Sequence, residues 1–204
     1  MKKWILVLCL CLLSVPVLAQ FAGLPIANSA AAPVAGETRV TAGIVTSDDY
    51  NQYGGRLSFA PVGRLALFGD FGALDPDGGD VGPSGQAGLQ FTLPLGEESL
   101  VDLALRATAG FASFDFDGGD LSMNGFTAGA LVSRDVKLLS PYVFLGMSFV
   151  NTEVEAHGAS ESEDETDLAF AAGVLLNLTG AFSLYGEYAH VDESFLNAGI
   201  RWTF

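Results

Sequence analysis

Asn197-Ala198-Gly199-Ile200-Arg201-Trp202-Thr203-Phe204 ends the chain, and its alternation decides how the remainder is read. With a period of two, Leu196, Ala198, Ile200, Trp202 and Phe204 share one face, while Asn197, Gly199, Arg201 and Thr203 share the other. That is a strand with one oily and one wet face. It runs to the final residue and stops on a bare aromatic, where a soluble domain ordinarily ends in a polar, frayed tail.

Working outward, 204 residues suffice for one domain. Half of the residues are apolar and 16% are charged, yet no apolar run reaches the ~18 residues of a membrane-spanning helix. The 25 glycines and 15 phenylalanines favour strands and turns over helices. High hydropathy without a helical span suits a barrel whose alternate residues meet lipid. A secreted β-sandwich is the competing all-β architecture, because its strands alternate in the same way.

Residues 1–19 read as an export signal. Lys2 and Lys3 precede a short apolar stretch, Pro16 breaks it, and Val17-Leu18-Ala19 suits signal peptidase, leaving Gln20 first. Both cysteines, Cys9 and Cys11, lie inside this segment, so the mature chain is expected to hold no thiol, disulfide or cysteine-bound metal. Its removal takes two lysines and moves the formal charge from −15 to −17. Such an acidic chain is a poor partner for nucleic acid. Residues 20–36, rich in alanine with Pro25 and Pro33, read as a flexible periplasmic leader without chemistry of its own.

From residue 37 to residue 204 the chain divides into segments of ~10 residues, the length that crosses a bilayer when tilted. Ten strands are expected, or eight if a short edge segment is over-read. The first runs from Thr38 to Thr46, the ninth from Phe182 to His190 and the tenth from Ser194 to Phe204. Loops are expected at 47–51, 75–85, 115–120 and 153–167. Three features favour a closed antiparallel up-and-down transmembrane barrel over a sandwich. The count is even, which returns both termini to one side. Of 24 acidic residues, 17 fall in the odd-to-even loops, which read as long, while the even-to-odd turns read as short. Finally, the faces opposite the large apolar ones carry Gly, Ala, Ser, Thr, Asn and a few charges, as a narrow lumen needs. The shape must close because hydrocarbon offers no partner to a peptide N–H or C=O. Trp202 and Phe204, with Tyr142, are expected near the periplasmic interface.

The polar-x-Gly-x-x-aromatic-x-aromatic spacing of Asn197, Gly199, Trp202 and Phe204 resembles the C-terminal assembly signal of Gram-negative outer-membrane barrels, which the barrel-assembly machinery reads. The whole mature chain is similar to small outer-membrane barrels of the OmpA-transmembrane and opacity-protein type. That resemblance implies the outer membrane as location and its lipids and lipopolysaccharide as neighbours. Roles in this group are envelope integrity, adhesion or host interaction, or narrow transport. It carries no catalytic residue, and a monomer is the expected state.

The expected lumen groups are Arg39, Arg56, Asp70, Asp102, Arg106, Tyr185, Glu187 and Arg201. Their near balance of charge suits mutual pairing in a narrow interior, since buried charges persist only when paired. A selective pore is the alternative use of the same groups. Asp75-Pro76-Asp77-Gly78-Gly79-Asp80 and Asp115-Phe116-Asp117-Gly118-Gly119-Asp120 repeat one pattern. Alternate carboxylates can wrap Ca²⁺, although Asp-Gly is also good hairpin chemistry and the distal Glu of an EF-hand loop is missing. The acidic 153–167 stretch reads as a solvated loop able to bridge through divalent cations to lipopolysaccharide phosphates, with His157 solvated within it. His190-Val191-Asp192-Glu193-Ser194 holds the parts of a nucleophilic site, but on one tight turn its side chains are expected to diverge. The expectation is a non-enzymatic barrel without cofactor that presents acidic loops outward.

Overall fold

The period of two persists through ten strands, described by a computed structural model over residues 26–204 apart from 78, 97, 117, 157–158 and 192–193. They are β1 (Thr38–Thr46), β2 (Tyr50–Val62), β3 (Leu65–Pro76), β4 (Gly82–Thr92) and β5 (Asp102–Phe116), then β6 (Gly119–Ser133), β7 (Leu139–Ala156), β8 (Ala159–Asn177), β9 (Phe182–His190) and β10 (Ser194–Thr203). Neighbours in sequence pair antiparallel, and β1 pairs with β10 from Arg39–Thr203 to Thr46–Leu196, so the sheet closes on itself. Closure leaves no free edge along the paired belt of the sheet, while the projecting part of β8 before Phe170 pairs with β7 alone. The export segment 1–19, leader residues 20–25, Asp117, His157, Asp192 and Glu193 lie outside the described residues.

The large apolar side chains point outward. Leu57, Leu145, Ile200 and Trp202 are each about half exposed, as are their neighbours on the same face of every strand. Phe182 meets Trp202 edge-on at 5.8 Å, and Trp202 stacks on Phe204 at 6.3 Å, forming an aromatic cluster at the terminal end of the barrel, where β1 starts and β10 stops. A water-soluble sheet would turn this face inward; here the sheet is inside out, as lipid solvation demands.

Four expectations need correcting. The acidic end does not carry long loops. Residues 153–167 are almost wholly strand, the upper halves of β7 and β8. Residues 115–116 and 119–120 likewise belong to β5 and β6, with Asp115 facing Asp120, and the 75–85 stretch contributes to β3 and β4. Acidic and small residues suggested loops by composition, but between β7 and β8 the register lowers the penalty. Glu153 faces Ser162, Asn151 faces Asp164, Thr152 faces Glu163 and Glu155 faces Ser160. Between β7 and β8 no acid stands opposite another, whereas Asp120 stands opposite both Asp115 and Glu155, so cross-strand repulsion is avoided in the β7–β8 hairpin and retained along that one rung. The asymmetry between the two ends is one of strand projection.

Tyr142 does not lie at an interface. It is 2% exposed inside the barrel. The lumen is also less polar than expected: Phe144, Leu131, Leu175, Phe195, Leu74 and Met123 are fully buried within it. Lastly, the described part of the leader is no free tether. Ile26, Ala27 and Ala30 have 0–2% exposure and belong to the interior apolar cluster. Side chains lining a ten-stranded barrel leave a gap at the terminal end that this segment fills.

Candidate functional site

The lumen is built from the inward positions of alternate strands, and its polar groups gather in two tiers. In the middle, β2 and β3 pair Arg56 with Asp70, and the two side chains meet in bidentate geometry. Arg56 Nε donates to Asp70 Oδ1 at 2.6 Å and Nη2 donates to Oδ2 at 2.7 Å. Gln86 on β4 also donates to Asp70 Oδ2, at 2.5 Å. Asp70 is 1% exposed and Arg56 8%, so neither could be held there as an unpaired ion. The Arg56 guanidinium lies 4.7 Å from the centre of the Phe68 ring and that of Arg106 lies 4.1 Å from it. A ring face attracts cations, which lets two arginines share this space. Arg106 Nη1 and Nη2 have no hydrogen-bond partner among the described residues.

Glu187 on β9 is the second organiser of this tier. Its Oε1 accepts from Asn197 Nδ2 at 2.9 Å and its Oε2 from Tyr142 Oη at 2.7 Å. The same two oxygens accept from the backbone N–H groups of Ile26 at 3.1 Å and Ala27 at 3.2 Å. Arg56 Nη1 donates to the carbonyl of Ile26. The charged cluster thus closes around the main chain of the inserted segment.

The second tier lies toward the terminal end. Asn28 Oδ1 accepts from Arg39 at 2.5 Å and from Arg201 at 3.3 Å, and Asn28 Nδ2 donates to Gln90 at 3.2 Å. Arg39 also pairs with Glu37. Gln90 Nε2 donates to the Ser29 carbonyl at 2.9 Å, Thr92 Oγ1 donates to the Ala30 carbonyl at 2.9 Å, and Ala30 N–H donates to Ser133 Oγ at 2.8 Å. Asp102 sits apart from both tiers, half-buried at the start of β5.

Of the expected lumen residues, the structure therefore joins Arg56, Asp70 and Glu187 through shared partners, places Arg106 beside them, and brings Arg39 to Arg201 through Asn28. Tyr185 faces inward, and its ring lies over the paired glycines Gly43 and Gly199. A small cavity of about 20 Å³ separates this region from Ala27, Arg56 and Asp70. Tyr142, Gln86, Gln90, Asn28 and Asn197 were missed, although alternation alone places Tyr142, Gln86, Gln90 and Asn197 on inward faces.

Outside the lumen, the two Asp-x-Asp-Gly-Gly-Asp stretches lie side by side: Asp80 N–H donates to the Asp115 carbonyl at 2.8 Å, and Gly79 bridges Phe116. That contact is made by backbone, however. Among the described residues no three His, Cys, Asp or Glu side chains gather as a cation site would require. At the acidic end, cross-strand pairing brings His190 and Ser194 together, where divergence was expected. Ser194 Oγ lies 2.9 Å from Tyr188 Oη and 3.4 Å from His190 Nδ1. Among the described residues no carboxylate bonds His190.

Comparison with protein families matches residues 5–201 to the outer membrane protein beta-barrel domain. No curated protein matches the chain. Solved structures resembling it include Ail, the attachment invasion locus protein of Yersinia pestis, with 18% identity over 84% of this chain and 100% of that one, at a TM-score of 0.37. The N-terminal barrel of Pseudomonas aeruginosa OprF gives 14% identity over 84% and 100% of the two chains, with a TM-score of 0.40. Neisserial surface protein A gives 15% identity over 82% and 95%, also at 0.40.

Proposed function

Because this chain belongs to the outer membrane protein β-barrel family, and so to the outer membrane of a Gram-negative bacterium, we propose that it is a non-enzymatic structural or surface-interaction barrel. Its lumen is closed and its acidic hairpins face outward from the cell. Residues 1–19 direct export, and the Gly199–Trp202–Phe204 spacing addresses the chain to the barrel-assembly machinery. Outer-membrane lipid solvates the outward Leu, Val and Phe side chains.

The observation that carries this reading is the filling of the lumen. Large apolar side chains occupy it beside a buried Arg56–Asp70 pair, and residues 26–30 occupy the space that remains. A conducting pore needs a continuous water path, and a cluster of fully buried side chains interrupts one. Purified protein in planar bilayers should therefore give no discrete single-channel steps. Regular conductance steps that change on substitution of Arg106 or Asp102 would replace this reading with that of a narrow pore.

The outward hairpin of β7 and β8 supports a second element of the proposal. Its acids stand exposed in strands rather than in mobile loops, so their carboxylates are held in fixed rows. Such rows suit divalent cations bridging to lipopolysaccharide phosphates. Amide exchange at residues 150–167, followed in lipopolysaccharide-containing bilayers, should accelerate when EDTA strips the cations. Exchange indifferent to EDTA would remove the bridging role.

A further inference from the structure

Residues 26–30 lie within the barrel without joining its sheet. They form no strand and add no rung to any ladder. The barrel groups that hydrogen-bond them are side chains, and most of those side chains read the main chain. Glu187 accepts from two successive amides, Arg56 and Gln90 donate to carbonyls, and Thr92 and Ser133 bond the two sides of Ala30. Ala27 has φ +44°, and a left-handed residue of this kind turns successive N–H groups toward one anion. Of the segment's own side chains, Asn28 bonds Arg39, Arg201 and Gln90 and Ile26 packs in the apolar cluster, while the other three are small.

From these contacts we propose that the terminal half of the lumen is a binding groove for a short, small-residue peptide main chain, occupied in cis by residues 26–30, and that this segment can withdraw and be replaced by a peptide of the same kind. The connection to β1 permits that movement. Val34 is 70% exposed, Ala35 and Gly36 are exposed, and Gly36 has φ +85°. The segment can leave through the periplasmic mouth without a ladder bond of the barrel breaking. The Arg56–Asp70 pair, spanning β2 and β3, stays behind as part of the wall. This inference rests on the closed reading of the intact chain and goes beyond it by naming the part that moves.

The test changes the segment and leaves the barrel untouched. Ala27→Pro together with Ala30→Pro deletes two buried donors, and proline cannot adopt φ +44° at position 27. A fluorophore-labelled peptide with the sequence of residues 26–33, added to the refolded protein in detergent, should bind the double variant at least about a hundredfold more tightly than the intact mature chain, whose groove is already filled. The same peptide carrying both prolines should bind neither. A separate variant, Ala30→Cys with Ser133→Cys, should be joined by a short bifunctional thiol reagent in the folded protein, since the Ala30 amide lies 2.8 Å from Ser133 Oγ. A double variant that takes up the native peptide no better than the intact chain, or an absent cross-link, overturns the inference while leaving the closed barrel standing. Discrete conductance by the intact chain overturns the closed reading on which the inference rests.

Discussion

Asp70→Ala is expected to cost the folded barrel about 3–5 kcal/mol, the range for removing one partner of a buried ion pair. Asp70 supplies both oxygens that receive Arg56 and one that receives Gln86. Without it, the guanidinium of Arg56 remains in the lumen beside that of Arg106, both over the ring of Phe68. Two like charges would then share a dry space with their nearest anion gone. Urea titration in detergent or lipid, read by the difference in gel mobility between folded and heat-denatured protein, measures this loss. Arg56→Met combined with Asp70→Leu removes charge and counter-charge together, and should recover most of the stability. A double variant as unstable as Asp70→Ala alone would refute the account, because the loss would then come from packing rather than from a stranded cation.

Gly199→Val is the second large effect, and it concerns closure. Gly199 faces Gly43 across the β1–β10 seam. A Cβ at position 199 would lie 2.2 Å from the Ala42 carbonyl oxygen, 2.7 Å from Gly43 Cα and 2.7 Å from the Tyr185 ring. Two of these three are backbone, so the clash cannot be relieved by turning a side chain. Overpacking commonly costs about 1–3 kcal/mol, and here it falls on the one strand pair that joins the ends of the sheet. Gly199→Val should therefore yield little folded barrel in a refolding assay, whereas Gly186→Ala, where no atom lies within 4 Å, should refold like the native chain. Equal yields would show that the seam tolerates a side chain. The glycine of the C-terminal spacing thus has a packing role beside any role as a signal.

How much of this was legible beforehand follows from where the information resides. The outward faces could be read because period-two hydrophobicity is a property of each strand alone: Val40, Ala42 and Ile44 of β1, or Leu103, Leu105 and Phe111 of β5. The limits of β1 and β9 agree with the expected ones. The acidic half of β7 and β8 could not be read as strand, because its stability comes from the offset between two segments. Glu153 is tolerable in a strand when Ser162 lies opposite, and neither segment alone carries that fact. Tyr142 was misplaced by its residue type, since aromatics gather at membrane interfaces; its position between outward Pro141 and Val143 pointed inward. The inserted segment was the least legible. Alanine, serine and proline signal a linker, and Ile26 and Ala30 find partners 161 and 103 positions away through backbone atoms that no side-chain pattern encodes.

Residues 26–30 precede β1, and the ring shuts only when β10, the last strand synthesised, meets that first one. An insert attached ahead of the first strand must either be enclosed as the two edges join or enter afterward through the mouth where it is tethered. Passage through the opposite mouth would require threading the rest of the leader past Leu121 and Met123, both nearly sealed from solvent. The order of synthesis and the direction of filling are therefore coupled: the earliest-made part of the interior is seated from the mouth where the first and last strands meet.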